Sequence, residues 1–198
     1  MNILSIDFDW IMEPSIGIYN DFCFDEKKLN DHIPIKDSIR FKPQYEKFYQ
    51  LNYYLKKIKE TIDDPTHIVF ADYHGEIVKY ICEVWNIKEP FNLYNIDHHH
   101  DLGYKKNNIE ILKDGLRSSN WASLCPNIKE YNWIGNKNSD QSTLTPEIIS
   151  NVPKFNPSTN IHLIKDIKFD YVFICLSPGW IPDELFYLFY VIKLYIGE

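Results

Sequence analysis

The amino-acid sequence predicts a single α/β domain with a mostly parallel central sheet covered by helices on both faces. Two observations carry that expectation. Short, continuously apolar runs alternate with segments of helical period, as happens when each strand is buried on both faces. No internal repeat, low-complexity tract or linker interrupts the alternation, so residues 1–198 read as one unit, long enough to bury a substantial core.

The first strand spans Asn2 to Asp9 and is apolar at Ile3, Leu4, Ile6 and Phe8. Residues 13–42 show no clean period and contain Pro14, Gly17 and Pro34. They read as a long loop or lid, and long irregular stretches in compact domains are usually functional. From Pro43 to Asp63, Tyr45, Phe48, Leu51, Tyr54, Leu55, Ile58 and Ile62 recur at three and four, which predicts a helix with Pro43 in its first turn. A strand at His67 to Ala71, a helix from about Gly75 to Trp85 and a strand at Phe91 to Asp97 follow. Residues 102–127 read as loop with a short helix around Asn120 to Leu124. Tyr131 to Ile134, Ile161 to Leu163 and Tyr171 to Leu176 read as short strands, and a last helix runs from about Pro182 to Ile196.

Composition narrows the function classes. Hydrophobic residues make up 44% and charged residues 25%, ordinary for a globular chain. The net charge of −7 disfavours nucleic acid as a partner, since phosphate contacts need clustered Lys and Arg. No apolar stretch is long enough for a bilayer: Leu185 to Ile196 is too short and too rich in Tyr, so no membrane partner is expected. The opening MNILSIDFDW lacks a basic leader and a long apolar run, which reads as a cytoplasmic protein without a signal peptide. The four cysteines, Cys23, Cys82, Cys125 and Cys175, show no CxxC spacing and read as reduced thiols, Cys82 and Cys175 as core fillers.

The chemistry concentrates at strand ends. Asn95-Ile96-Asp97-His98-His99-His100-Asp101 closes one strand, and if extension continues Asp97, His99 and Asp101 share a face while His98 and His100 face away. Asp7 and Asp9 form an i, i+2 pair closing the first strand, and His74 lies just beyond the second. Carboxyl ends of parallel strands are where open sheets collect ligands. Several carboxylates at one point repel unless a multivalent cation neutralises them. A mixed carboxylate and imidazole set suits Mn2+ or Fe2+, and suits Zn2+ less well because zinc more often recruits Cys or a larger share of His.

These residues resemble the arginase–deacetylase superfamily, in particular its short branch that includes peptide arginases. The matching pieces are SIDFDW (Ser5 to Trp10), ADYHGE (Ala71 to Glu76) and NIDHHHD (Asn95 to Asp101), with weaker echoes at Asn120-Trp121, Tyr131 to Ser139 and LSPGWIP (Leu176 to Pro182). The resemblance implies a three-layer α/β/α fold and a binuclear manganese site. One ion would be held by His74, Asp97, Asp101 and Asp7, the other by His99, Asp97, Asp7 and Asp9, with Asp97 and Asp7 bridging. It also implies hydrolysis of a guanidinium carbon, with ornithine and urea as products. Asp101 would hold the attacking water and pass its proton to the leaving amine. Glu13 is the candidate carboxylate for the cationic guanidinium, and Trp10, Trp121 or Trp180 are candidates to flank the substrate stem. The substrate expected is a guanidine-bearing group, an arginine within a peptide before free arginine.

The order of motifs departs from arginases proper, where the Asp-x-Asp pair comes late in the chain; here Asp7 and Asp9 come first, and LSPGWIP at the late position carries no carboxylate. No match to the family's proton-shuttling histidine is found. Three other readings compete. A DHH-type phosphoesterase shares the Asp-His-His and Asp-x-Asp words, but Trp10, Ile11 and Met12 stand where small residues would admit a phosphate. A deacetylase-like amidohydrolase needs one zinc and fewer carboxylates. A non-catalytic, metal-stabilised module would bind a basic peptide through the aromatic 13–42 segment.

Overall fold

The computed structural model describes residues 1–14, 41–103, 116–137, 139, 141 and 143–197, with the side chains of residues 13, 14, 41 and 42 left aside. The expected lid over 13–42 lies outside the described residues except at its ends. There Met12–Pro14 (β2) and Phe41–Pro43 (β3) pair antiparallel.

Among the described residues, six strands form one fully parallel sheet. Asn2–Asp7 (β1), Ile68–Ala71 (β4), Phe91–Ile96 (β5), Ile128–Ile134 (β6), Phe155–Ser158 (β7) and Tyr171–Cys175 (β8) are arranged in the order β4-β8-β1-β5-β6-β7. The chain is thus an α/β protein, as the alternation predicts, and β1 stands at the centre of the sheet.

Alternation along the strands builds two cores. Leu4, Ile6, Ile96, Ile134, Val172 and Ile174 face one side, covered by Phe48, Leu51, Tyr54, Leu55 and Ile58 of helix α1 (Tyr45–Thr61). Leu188, Phe189, Ile192 and Ile196 of the C-terminal helix Phe186–Gly197 complete that cluster. Ile3, Leu93, Tyr131, Trp133 and Phe173 face the other side. They are covered by Ile77 and Ile81, by the short helix Trp121–Leu124 and by Ile148 of the turn Pro146–Ile149.

Two expectations about elements are corrected, and one strand had not been expected. Pro43 ends β3, and Gln44 stands before α1, so the proline lies outside the helix's first turn. Ile161–Ile164 is a 3-10 turn because the Asn160 side chain accepts from the His162 backbone N–H at 3.0 Å and turns the chain. The strand beside β6 is Phe155–Ser158, which its Asn156 and Pro157 hide in the sequence. Pro157 is tolerated there because β7 is an edge strand, with one side needing no ladder partner. Among the described residues no helix is long and apolar enough to cross a membrane.

Candidate metal centre

The site forms at the carboxyl ends of the central strands, on the Ile3 face of the sheet. Ile6 pairs with Ile96, so Asp7 and Asp97 emerge side by side as β1 and β5 end. His74 arrives from across β8. It follows β4 by three residues, at the start of the 3-10 turn His74–Glu76. Its ring lies parallel to Phe173 at 6.1 Å and meets Trp121 at 4.8 Å. Gly75 lets the chain approach closely here: a Cβ on it would stand 3.3 Å from the backbone of Arg117 and of Ser118, the segment leading to Trp121, tighter than most Cβ contacts.

Three carboxylates converge on one nitrogen. His74 Nδ1 lies 2.9 Å from Asp101 Oδ2, 3.1 Å from Asp97 Oδ2 and 3.2 Å from Asp7 Oδ2. The other ring nitrogen, Nε2, hydrogen-bonds the Ser5 hydroxyl at 2.6 Å. A second group forms beside the first: His99 Nδ1 lies 3.1 Å from Asp9 Oδ2 and 3.8 Å from Asp97 Oδ1. Asp97 belongs to both groups, offering one oxygen to each, whereas Asp7 falls with His74.

The six predicted ligands Asp7, Asp9, His74, Asp97, His99 and Asp101 therefore do come together, though not by the expected backbone. β1 ends at Asp7, and Asp9 sits in a 3-10 turn, Phe8–Ile11, where its own backbone N–H donates to Asp7 Oδ1 at 3.1 Å. Extension also stops at Ile96. Asp101 has φ 53°, a left-handed backbone that Asp tolerates better than most residues and that lets its carboxylate turn back toward His74. Of Glu13 only the backbone is described, paired with Lys42 across β2 and β3. His98 and His100 are buried and outside these groups; His100 Nδ1 accepts from the Leu102 N–H at 3.1 Å, leaving Nε2 to donate to the Thr143 hydroxyl at 2.9 Å. Of the three candidate tryptophans, Trp10 and Trp121 are buried, and half-buried Trp180 stands 4.6 Å from the His99 ring.

Burial sets the electrostatics. Desolvation, reinforced by the neighbouring carboxylates, raises Asp9 and Asp97 to about 7. On Asp7 burial acts in the same direction but is outweighed by contact with His74, and its carboxyl is held low. His99 is raised to about 10: burial opposes its charge, but Asp9 and Asp97 favour it more strongly. His74 is raised in the same way by Asp101, Asp7 and Asp97 against burial. His98 is depressed to about 2 by burial and by the charge on His99, so it stays neutral.

The arrangement fits a cation. His74 Nδ1 is fully buried, yet it makes no hydrogen bond of proper geometry to any of the three oxygens around it. Asp9 Oδ2 is buried without a hydrogen bond as well. Atoms bound at right angles to one ion at about 2.1 Å stand about 3 Å apart, which matches the 2.9–3.2 Å spacing around His74. These buried Asp and His groups can hold metal ions.

A second ring of residues orients these groups, as outer partners do in metal sites. Asn95 Nδ2 donates to Asp97 Oδ2 at 3.2 Å and to the Tyr131 hydroxyl at 2.8 Å, and that hydroxyl donates to the His100 carbonyl at 2.9 Å. Trp121 Nε1 donates to Asp101 Oδ2 at 2.5 Å. Ser177, itself at φ 57°, donates to Asp7 Oδ2 at 3.0 Å. Ser5, Asn95, Tyr131 and Ser177 lie within the segments that carry the resemblance, but sequence reasoning assigned them no role of their own. The signal for Ser5 and Asn95 was the i, i+2 spacing to Asp7 and Asp97, which puts each polar side chain on the ligand's own face.

Comparison with protein-family models, with curated proteins and with solved structures finds no match.

Proposed function

We propose that this chain is a metal-dependent hydrolase with an arginase/deacetylase-like three-layer fold. Its site would hold two divalent cations and cleave the guanidinium C–N bond of arginine side chains in peptides. The observation that carries the reading is the convergence of four buried carboxylates on two imidazole nitrogens, with Asp97 turning one oxygen to each. A set this rich in oxygen suits Mn2+ first, with Fe2+ or Zn2+ as alternatives. His74, Asp7, Asp97 and Asp101 would hold one ion, and His99, Asp9 and Asp97 the other.

When bound, such a pair of cations supplies hydroxide from water at neutral pH. The chain's own residues do the rest. Asp101, steadied by the Trp121 N–H, would take the water's remaining proton and return it to the departing amine. The carbon that water attacks leaves as urea, and the side chain remains as ornithine. The site opens beside His99, whose side chain is 14% exposed while the other five candidate ligands are at 6% or less. Trp180, on that open side, offers a ring on which a planar guanidinium can stack. The net charge of −7 favours approach of a cationic peptide.

The test is to prepare the protein metal-free, add Mn2+, count bound ions by elemental analysis and assay urea released from arginine-containing peptides. Two ions per chain with urea release, both lost in Asp97→Asn, is the expected result. Two ions without urea would discard the guanidinium chemistry and direct the assay to other amides and phosphodiesters. No bound metal would overturn the reading.

A further inference from the structure

We propose that Cys175 supplies a sulfur ligand to the cation held by His74, making this the softer of two unlike metal positions. The inference rests on the reading that the cluster binds metal, and it goes beyond it by giving each position its own preference.

Register brings the thiol to the site. Cys175 closes β8 and pairs with Asp7 on one side and with Ala71 on the other. It therefore stands between the strand that ends in the Asp7 carboxylate and the strand that leads to His74. Parallel neighbours in register project to the same face, and the Cys175 sulfur, an Asp7 oxygen and a His74 nitrogen all lie within 4.8 Å of one another. Independently, His74 Nδ1 is fully buried and without a hydrogen bond of its own, 3.2 Å from Asp7 Oδ2. Cys175 is fully buried too, so the cation would meet the thiol without competition from bulk water.

Coordination replaces the S–H bond by a metal–sulfur bond, and the proton is released to solvent as the ion binds. A thiolate shifts preference toward zinc or ferrous iron and away from manganese. The His99 position, with Asp9 and Asp97 oxygens, keeps the harder character that suits manganese. Both positions can then fill when Mn2+ alone is offered, but with zinc also present the His74 position would take zinc first.

The experiment loads the full chain with Co2+ and separately with Zn2+, in the wild type and in Cys175→Ala. In the wild type we expect a near-ultraviolet sulfur-to-cobalt charge-transfer band. X-ray absorption of the zinc form should show a sulfur neighbour at about 2.3 Å. Cys175→Ala should lose both signals while keeping the visible cobalt bands, and its preference for zinc over manganese should shrink. Wild-type protein with visible cobalt bands but only nitrogen and oxygen neighbours overturns the role of Cys175 and leaves the metal site standing. Failure to take up cobalt or zinc at all overturns both. The wild-type spectra decide the matter even if Cys175→Ala does not fold.

Discussion

Ser5 and His74, 69 residues apart, are joined by a 2.6 Å hydrogen bond between the Ser5 hydroxyl and His74 Nε2. The bond fixes which ring nitrogen faces the carboxylates. With Nε2 engaged, Nδ1 is the atom left for Asp7, Asp97 and Asp101. Replacing Ser5 by Ala should leave the fold intact but remove this partner, at about 1–3 kcal/mol of stability for the buried group left behind. Metal affinity should fall about 10- to 100-fold, as for other outer partners of ligating histidines. Competition titration against a chelator measures it, and an unchanged affinity would dismiss the orienting role.

Asp97 and Asp9 should differ in what they cost. Asp97 offers one oxygen to each group, so Asp97→Asn should lose both ions. Asp9 touches only the His99 group among the clusters described, so Asp9→Asn should retain one ion at the His74 position. Elemental analysis after gel filtration gives the stoichiometry. Two ions in Asp97→Asn would mean that the two groups do not share this carboxylate.

Much of this was legible in the sequence. The apolar runs at Ile3–Ile6 and Val172–Ile174 announced strands buried on both faces, and the acids and imidazoles that follow such runs announced the site. What escaped is instructive. Among the described residues Phe155–Ser158 pairs on one side, which lets this edge strand carry Asn and Pro and lack the apolar signature of a central strand. The assumption of continuing extension failed at Asp9 and Asp101 because both lie past the last ladder bond. There, local turns set by Asp7 Oδ1 and by the positive φ of Asp101 decide direction. Cys175 read as core filler and is indeed buried in the core with a free thiol. Its nearness to Asp7 and His74 escaped because Asp7 and Ala71 are distant in sequence and adjacent to it only through the sheet.

The pH dependence of the metal-free protein follows from the buried carboxylates. Asp9 and Asp97 release their protons near 3.8 when unfolded and near 7 when folded. The folded state therefore binds more protons between those values, and this stability is lost as pH rises through about 7. His99, raised from 6.5 to about 10, adds loss in the same direction above neutrality. His98, depressed to about 2, works the other way below 6.5, but it is one group against two. The melting temperature without metal should accordingly fall between about pH 5 and about pH 8. Added metal must displace these protons, so its stabilisation should grow over the same interval. Thermal scans with and without Mn2+ test both slopes; a metal-free protein that gains stability toward alkaline pH would refute the account.

Trp180 offers the cleanest separation of binding from metal chemistry. It is half-buried, its ring stands 4.6 Å from His99, and it belongs to a turn closed by its own N–H on the Ser177 carbonyl at 2.9 Å. Ser177 in turn holds Asp7, so the backbone of this turn supports the site while the half-buried indole stands beside His99, the most exposed of the six candidate ligands. Truncation to Trp180→Ala keeps the backbone bond and removes only the ring. Metal stoichiometry should therefore be unchanged. If a guanidinium stacks on that ring, losing a contact of about 0.5–2 kcal/mol should raise KM for arginine peptides roughly 2- to 30-fold. Because the contact is made equally by bound substrate and transition state, kcat should move little. Steady-state urea release across a series of peptide concentrations separates the two constants. A fall in kcat at constant KM would instead put Trp180 among the groups that act on the reacting atoms, and no change in either would remove it from the substrate path.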